Sequence, residues 1–216
     1  PFDVNKDFVP VTLLAKVPNL FCIHPDVPAK DFKEFVAYAK KNPGKLDYGS
    51  AGNASAGHLA MEYLKMVTDT FIVHVPYRGT GPQLTDLLAG RLQAASVGAA
   101  AVIQFVRTGR LRCIATGTLQ RLPQLPDVPT VAEQGWPGFE MTQWYGILGP
   151  ANLPQAAVEV LAAASTSAVK QPATNEKFST DAVIGVGGGP AEFARFIAQE
   201  QQRWKPVVDR ARIKPD

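Results

Sequence analysis

Two glycine-rich stretches hold the residue types best suited to chemistry. The first, Gly49-Ser-Ala-Gly-Asn-Ala-Ser-Ala-Gly57, joins a short strand pattern at 46–50 to a helical pattern whose apolar face is Ala60, Tyr63, Leu64 and Val67. Small residues at such a junction let backbone N–H groups turn inward, and a helix start adds roughly half a unit of positive charge. Ser50, Asn53 and Ser55 add hydroxyl and amide groups, so the loop suits a carboxylate or a phosphate. The plainer account is a tight strand-to-helix turn that needs glycine for backbone reasons alone. The second stretch, Pro76-Tyr-Arg-Gly-Thr-Gly-Pro82, repeats the arrangement after a strand pattern at 71–75, with a helix start near Thr80. In open α/β sheets ligands bind outside the carboxyl ends of the strands, so the two loops are expected to share one crevice. Arg78 is a candidate partner for a carboxylate, although a loop arginine is more often solvated.

Other chemistry finds little support. The first loop fits neither G-x-x-x-x-G-K-[ST] nor G-x-G-x-x-G, which excludes a nucleotide P-loop and the dinucleotide fingerprint. Of the histidines, His24 and His74 read as structural, while His58 opens a helix beside the serines. A dyad of Ser50 or Ser55 with His58 lacks both a G-x-S-x-G elbow and an orienting acid, so no catalytic residue is assigned. No His, Cys, Asp and Glu set has metal-ligand spacing, and no cofactor is expected. Trp144-Tyr145 would wall a pocket or, more commonly for an apolar run, join the core.

The elements that must position the loops alternate short β-rich runs with helical periodicity, the pattern of an α/β fold with mostly parallel strands. Two extended segments, 8–17 and 20–24, are separated by Pro18-Asn19. A capping pattern at Asp31 and Glu34 then starts a helix with Phe32, Phe35, Val36 and Ala39 on one face, stopped by Asn42-Pro-Gly. Further helices fall at 84–88, ended by Gly90, and at 99–108, ended by Gly109, with strands at 92–97 and 111–115. A Pro-rich connector at 122–129 leads to a short helix at 131–134, an apolar run at 141–148 and a helix from Pro154 to about 169. The last helix follows Gly187-Gly-Gly-Pro190 and places Phe193, Phe196, Ile197 and Trp204 on a shared face.

The 22 Lys and Arg residues against 19 Asp and Glu leave a net charge of +3, scattered enough to argue against nucleic-acid binding. No apolar run approaches the ~20 residues that span a bilayer. Cys22 and Cys113 both sit in apolar strand patterns. They read as two buried thiols, or as one disulfide if the strands are neighbours in an oxidising compartment.

The two loops also belong to an ordered series of motifs. Val11-Thr-Leu-Leu-Ala-Lys-Val-Pro-Asn19 and Pro43-Gly-Lys-Leu-Asp-Tyr-Gly-Ser-Ala-Gly52 come first. His74-Val-Pro-Tyr-Arg-Gly79, Leu84-Thr-Asp-Leu-Leu-Ala-Gly90, Leu125-Pro-Asp-Val-Pro-Thr-Val-Ala-Glu133 and Pro137-Gly-Phe-Glu140 complete it. The chain resembles, over its whole length, the Bug-type solute-binding proteins of tripartite tricarboxylate transporters. That resemblance implies a periplasmic, two-lobed Venus flytrap of the type II periplasmic-binding-protein kind, which captures a small carboxylate for membrane transporter subunits and is not an enzyme. It carries ligand contacts onto Ser50, Ala51, Gly52 and Asn53, and onto Tyr77, Arg78, Gly79 and Thr80, with Ser55 beside them. Residues 19–140 would form a complete second lobe, and 1–18 with 141–216 an incomplete first lobe lacking the family's N-terminal region. An exposed sheet edge there would favour a homodimer or a domain swap. Val97-Gly98 stands where the family has an Asp-Asn pair, which favours a plain carboxylate over an amino acid. Arg212 replaces a common helix-ending glycine, so a different helix end is expected. The competing readings are a truncated sensory or interaction protein and, less favoured, a Ser/His hydrolase.

Overall fold

The computed structural model describes residues 3–214, and the assignment of residues 1–2 and 215–216 to the incomplete first lobe lies outside them. One turn of helix, α1 (Val4–Asp7), runs directly into a sixteen-residue strand, β1 (Phe8–Ile23). The chain divides into two units, Pro1–Val17 with Trp144–Trp204 and Pro18–Gln143 with Lys205–Asp216, so β1 passes from one into the other.

In the second unit, α2 (Phe32–Lys41) begins where the Asp31 carboxylate accepts the Glu34 amide, and Glu34 reaches back to the amide of Lys30. Its buried face is the expected Phe32, Phe35, Val36 and Ala39. Three strand–helix pairs follow: β2 (Asp47–Ser50) with α3 (Ala56–Thr68), β3 (Val73–Pro76) with α4 (Thr80–Leu88), and β4 (Ala94–Gly98) with α5 (Ala99–Arg107). A further strand, β5 (Arg112–Thr116), completes the order β3-β2-β4-β1-β5. β2 runs parallel to β3 and β4, whereas β1 is antiparallel to both β4 and β5. Parallel pairing therefore holds for the strands linked by helical crossovers. β1 enters from outside those repeats and is free to run the other way. Behind the sheet, Phe21 meets Phe32 and Phe139 edge-on at 6.0 and 5.6 Å, and Trp136 meets Phe32 at 5.1 Å. Burying each such ring contributes about 1.5–3 kcal/mol.

Three local expectations are corrected here. The strand expected from Phe71 begins at Val73; Phe71 is 59% exposed, and its carbonyl is taken by the amide of Gly44 in a turn rather than by a neighbouring strand. The short helix expected at 131–134 is a turn. Thr130 and Glu133 exchange backbone-to-side-chain bonds at 2.7 and 3.0 Å as at a helix start, but Gly135 at φ 120° and Pro137 stop propagation. Pro18-Asn19 does not break β1. Its missing N–H falls where the ladder changes partners, and strand backbone tolerates the fixed φ of proline there.

The other unit contains β6 (Thr142–Pro150) at its start, then α6 (Gln155–Val169), α7 (Pro172–Thr180), β7 (Ile184–Gly185) and the start of α8 (Pro190–Ala211). β6 and β7 both pair with β1, β7 through Ala15 and Lys16. Val11 packs with Val158 and Ala162, and Leu13 packs with Phe193 and Ile197, flanked by Trp144 and Phe196. Neither α7 nor α1 buries a residue, so neither has an apolar stripe to announce it in the sequence.

α8 runs on into the second unit, where Val207 is buried, and its end departs from expectation. Arg212 adopts φ 51°, the left-handed conformation a glycine would take. Its amide bonds Asp209 O at 3.3 Å and that of Ile213 bonds Val208 O at 3.0 Å, the pair of bonds that defines a Schellman cap. The helix therefore ends in the common way with an unfavourable residue. Replacing Arg212 with Gly is expected to stabilise the protein by about 1 kcal/mol and raise the melting temperature by about 2–4 °C. An unchanged or lower melting temperature in calorimetry would contradict the strain assigned to Arg212.

Candidate functional site

Because β3, β2 and β4 are parallel neighbours, Ser50, Pro76 and Gly98 all end at one edge of the sheet, where α3, α4 and α5 begin. The two glycine-rich loops meet there. The amide of Tyr77 donates to Ser50 O at 3.0 Å, the last rung between β2 and β3, and that of Gly79 donates to Ala51 O at 3.1 Å just beyond both strands.

Ser50 is fully buried and holds the first loop closed. Its Oγ lies 3.0 Å from Gly52 O, accepts the Gly52 amide at 3.3 Å and sits 2.6 Å from His74 Nε2. The carbonyl can only accept, so it takes the hydroxyl proton and leaves His74 to donate. A serine committed in this way is a staple rather than a nucleophile. The Ser50–His58 and Ser55–His58 dyads do not form: Ser55 Oγ caps α3 by accepting the His58 amide, and His58 Nδ1 accepts the Ala54 amide at 3.1 Å.

Several groups remain available for a guest. Among the described residues the amides of Ala51 and Arg78 meet no acceptor, and α4 and α5 begin behind Gly79 and Gly98 without a capping side chain. Gly79 has φ 107°, and a Cβ there would touch nothing within 4 Å, so its backbone borders open space. Thr80 is the first residue of α4. The Arg78 side chain is exposed and has no carboxylate partner among the described residues, in keeping with a solvated arginine. The Tyr77 hydroxyl is already committed. It donates to Asp86 at 2.8 Å, and Asp86 also holds Arg91 at 2.7 Å. Burial and that bond raise the Tyr77 pKa, and the same phenol, then Arg91, holds the Asp86 carboxyl below its ordinary value.

Beside the loops, the Tyr48, His74 and His58 rings stack in sequence, with centroids 4.9 and 3.9 Å apart. Glu62 accepts from the Tyr48 hydroxyl and from Lys65, each at 2.6 Å. Burial first, then the Glu62 bond, pushes the Tyr48 phenol up. His58 is held below the ordinary histidine value, mainly by burial and further by Lys65, against the opposing pull of Glu62. Asn53, His58, Glu62, Lys65 and His74 border a cavity of about 400 Å³, with residues 211–214 along its other wall. The structure thus brings Ser50 to Gly52 together with Tyr77 to Thr80, and turns Asn53 toward this neighbouring cavity.

Sequence reading missed three supports of the site. Buried Gln83 donates to Gly49 O at 2.9 Å, fixing the end of β2 to α4. Asn19, opposite Gly98 in the ladder, donates to Ser96 Oγ at 2.8 Å. A Cβ on Gly57 would stand 2.5 Å from Ser96 O, so only glycine lets α3 approach β4 this closely. For Asn19 the available signal was a lone polar residue within an apolar stretch. No group of three potential metal ligands occurs among the described residues.

Comparison with known proteins gives a consistent picture. A family model described as "Tripartite tricarboxylate transporter family receptor" matches residues 1–213. Protein BugT of Bordetella pertussis is 31% identical over 96% of this chain, and the chain spans 64% of BugT's length, the same share as for another curated relative. An R. palustris protein solved with adipate superposes with a TM-score of 0.93 at 32% identity, covering 100% of this chain and 72% of its own. MatC from Rhodopseudomonas palustris, solved with bound malate, gives 0.89 at 28% identity, covering 96% and 71%.

The His58 contact makes the first loop sensitive to acid. Since folding depresses this pKa, the unfolded chain binds the extra proton first, and stability falls as pH drops below about 6.5. An asparagine at position 58 keeps an acceptor for the Ala54 amide without titrating. His58→Asn is therefore expected to flatten the melting-temperature profile between pH 7.5 and 5. An unchanged slope would remove His58 as its source.

Proposed function

The chain belongs to the tripartite tricarboxylate transporter receptor family as a Bug-type solute-binding protein, and on that premise we propose that it binds a small carboxylate at the joined ends of β2 and β3. The family is one of receptors rather than enzymes, and the type II-like binding fold is that of its solved relatives. The observation that carries the proposal is the pair of amides from Tyr77 and Gly79 on the first loop, which fixes two strand-to-helix junctions side by side. Around that junction the uncapped starts of α4 and α5 offer N–H groups and the positive ends of their dipoles. Ser50, Ala51, Gly52, Asn53 and Ser55 from one loop, and Tyr77, Arg78, Gly79 and Thr80 from the other, are the residues we assign to the site. Ser50, Ser55 and Tyr77 shape the loops, while the amides at Ala51, Arg78 and Thr80 meet the anion. Relatives solved with adipate and malate support a di-acid as the ligand class.

Within this reading, Pro18–Gln143 with Lys205–Asp216 is one lobe of the receptor, and Pro1–Val17 with Trp144–Trp204 belongs to the other. We further propose that the protein works in the periplasm and hands its ligand to membrane transporter subunits. No helix among the described residues is long and apolar enough to cross a membrane.

Thermal shift with adipate, malate and the neutral diamide of adipate tests the binding step. At a hundredfold excess over Kd a true ligand adds about 2.7 kcal/mol, or roughly 5–10 °C. A saturable shift with the acids and none with the diamide is expected, and Gly79→Val, which forces a branched side chain onto φ 107°, should remove it. A protein that folds but responds to no acid would favour the sensory or interaction reading, and turnover of the acid would favour an enzyme.

A further inference from the structure

β5 contains an irregularity that decides which residues face Cys22. Leu20 pairs with Thr116 and Phe21 with Ala115, but Cys22 then pairs with Cys113 rather than with Ile114. Ile114 is the extra residue of a β-bulge. Without it, Cys22 would oppose Ile114, and Cys113 would oppose Ile23 with its side chain on the other face, since a one-residue slip inverts every side chain beyond it. The bulge therefore turns Cys113 onto the face of Cys22 and places the two as direct cross-strand partners. Cα atoms of such antiparallel partners lie about 4.5–5.5 Å apart, inside the range a disulfide spans. Both are free thiols, and that of Cys113 donates to Ala115 O at 3.5 Å. Cys22 is 1% exposed, whereas Cys113 is only partly buried on the last strand of the sheet order.

We propose that Cys22 and Cys113 form a disulfide that fastens the outer strand β5 to β1. A thiol oxidant of the disulfide class, such as oxidised glutathione, can reach Cys113 first. The Cys113 thiolate attacks one glutathione sulfur, a mixed disulfide forms and one glutathione thiolate leaves. The Cys22 thiolate then attacks the Cys113 sulfur and expels the second glutathione. The cysteine pair gives up two electrons, and its two thiol protons end on the two released glutathiones. The neighbouring Cys113 thiol, then burial, hold the Cys22 proton tightly, so the second displacement is the slow one. The bond closes a loop of roughly 90 residues, long enough to restrict the unfolded chain substantially.

Whether the bond forms in the cell rests on the periplasmic reading; whether the pair can close depends only on the sheet. Two arms keep these apart. In the first, the purified folded chain is incubated with oxidised glutathione, then denatured with a maleimide present, and its intact mass is measured. Loss of both alkylation sites is expected, with recovery after reduction and a cross-linked peptide pair containing Cys22 and Cys113. Reduction should lower the melting temperature by about 5–10 °C. Cys113→Ala should leave one alkylatable or glutathione-capped thiol and abolish that redox-dependent difference. Two fully alkylated thiols after oxidation of the native protein would overturn the proposal. In the second arm, the protein is exported to a bacterial periplasm and alkylated on lysis. Blocked thiols support the bond in its working compartment, and free thiols in exported protein would overturn that part even if the pair closes in vitro.

Discussion

The structure around the site depends on two main-chain hydrogen bonds made at the end of β2 and just beyond it. Tyr77 donates to Ser50 O as the last rung between β2 and β3, and Gly79 donates to Ala51 O, so the two chains stay joined past the end of the ladder. Along an extended segment successive N–H groups point to opposite sides. With the amides of residues 77 and 79 spent on the first loop, that of Arg78 must point away from it, and among the described residues it meets no acceptor. The same bonds that join the loops thus choose which N–H groups are left over. This explains how the candidate site is assembled mainly from small residues: the backbone supplies both the fastening and the N–H groups proposed to bind.

What stands behind the loops keeps the arrangement from relaxing. Ser50 bridges the turn of its own loop to His74 on the neighbouring strand, and His74 is sandwiched between Tyr48 and His58. His58 in turn holds the Ala54 amide, while Gln83 holds Gly49 O from the α4 side. None of these partners is a carboxylate, a lysine or an arginine; the Glu62–Lys65 ion pair lies beneath the rings. The proposed site would therefore meet an anion with fixed dipoles instead of a buried opposite charge. Aligned dipoles need little reorganisation on binding and avoid the large cost of desolvating an arginine.

Much of this was legible in the sequence, and the gaps have physical causes. The α2 stripe, the Gly90 and Gly109 helix ends and the junctions at Gly49 and Pro76 were legible because periodicity and glycine placement report local backbone needs. α7 was illegible because it buries nothing, and β7 because two residues carry no period. The unbroken course of β1 through Pro18 depends on which strands lie beside it, which no local window contains. At the site, residue types were legible but partnerships were not. Ser50 was paired with the wrong histidine, since the β2–β3 register, with Tyr48 beside His74, determines which imidazole comes within reach. Gln83 and Asn19 were passed over because their value lies in single long-range bonds.

The same dependence on register governs the rest of the second unit, where the two strands shared with the other unit enter and leave. The Asn19 amide bonds Met141 O, the Gly117 amide bonds Asn19 O, and the Met141 amide bonds Gly117 O, closing a ring of main-chain bonds between three distant segments. A Cβ on Gly117 would stand 2.5 Å from Met141 O, so this clasp requires glycine at that corner. Asn19 also reaches Ser96 on β4, one strand from the first glycine-rich loop. Both chain passages, at Pro18 and after Gln143, are therefore held at the sheet edge from which α3, α4 and α5 start. Since a sheet slips only by whole residues, a cluster that fixes β1 against β4 and β6 also fixes the level at which Gly98 opens α5, and with it the alignment of the uncapped helix starts.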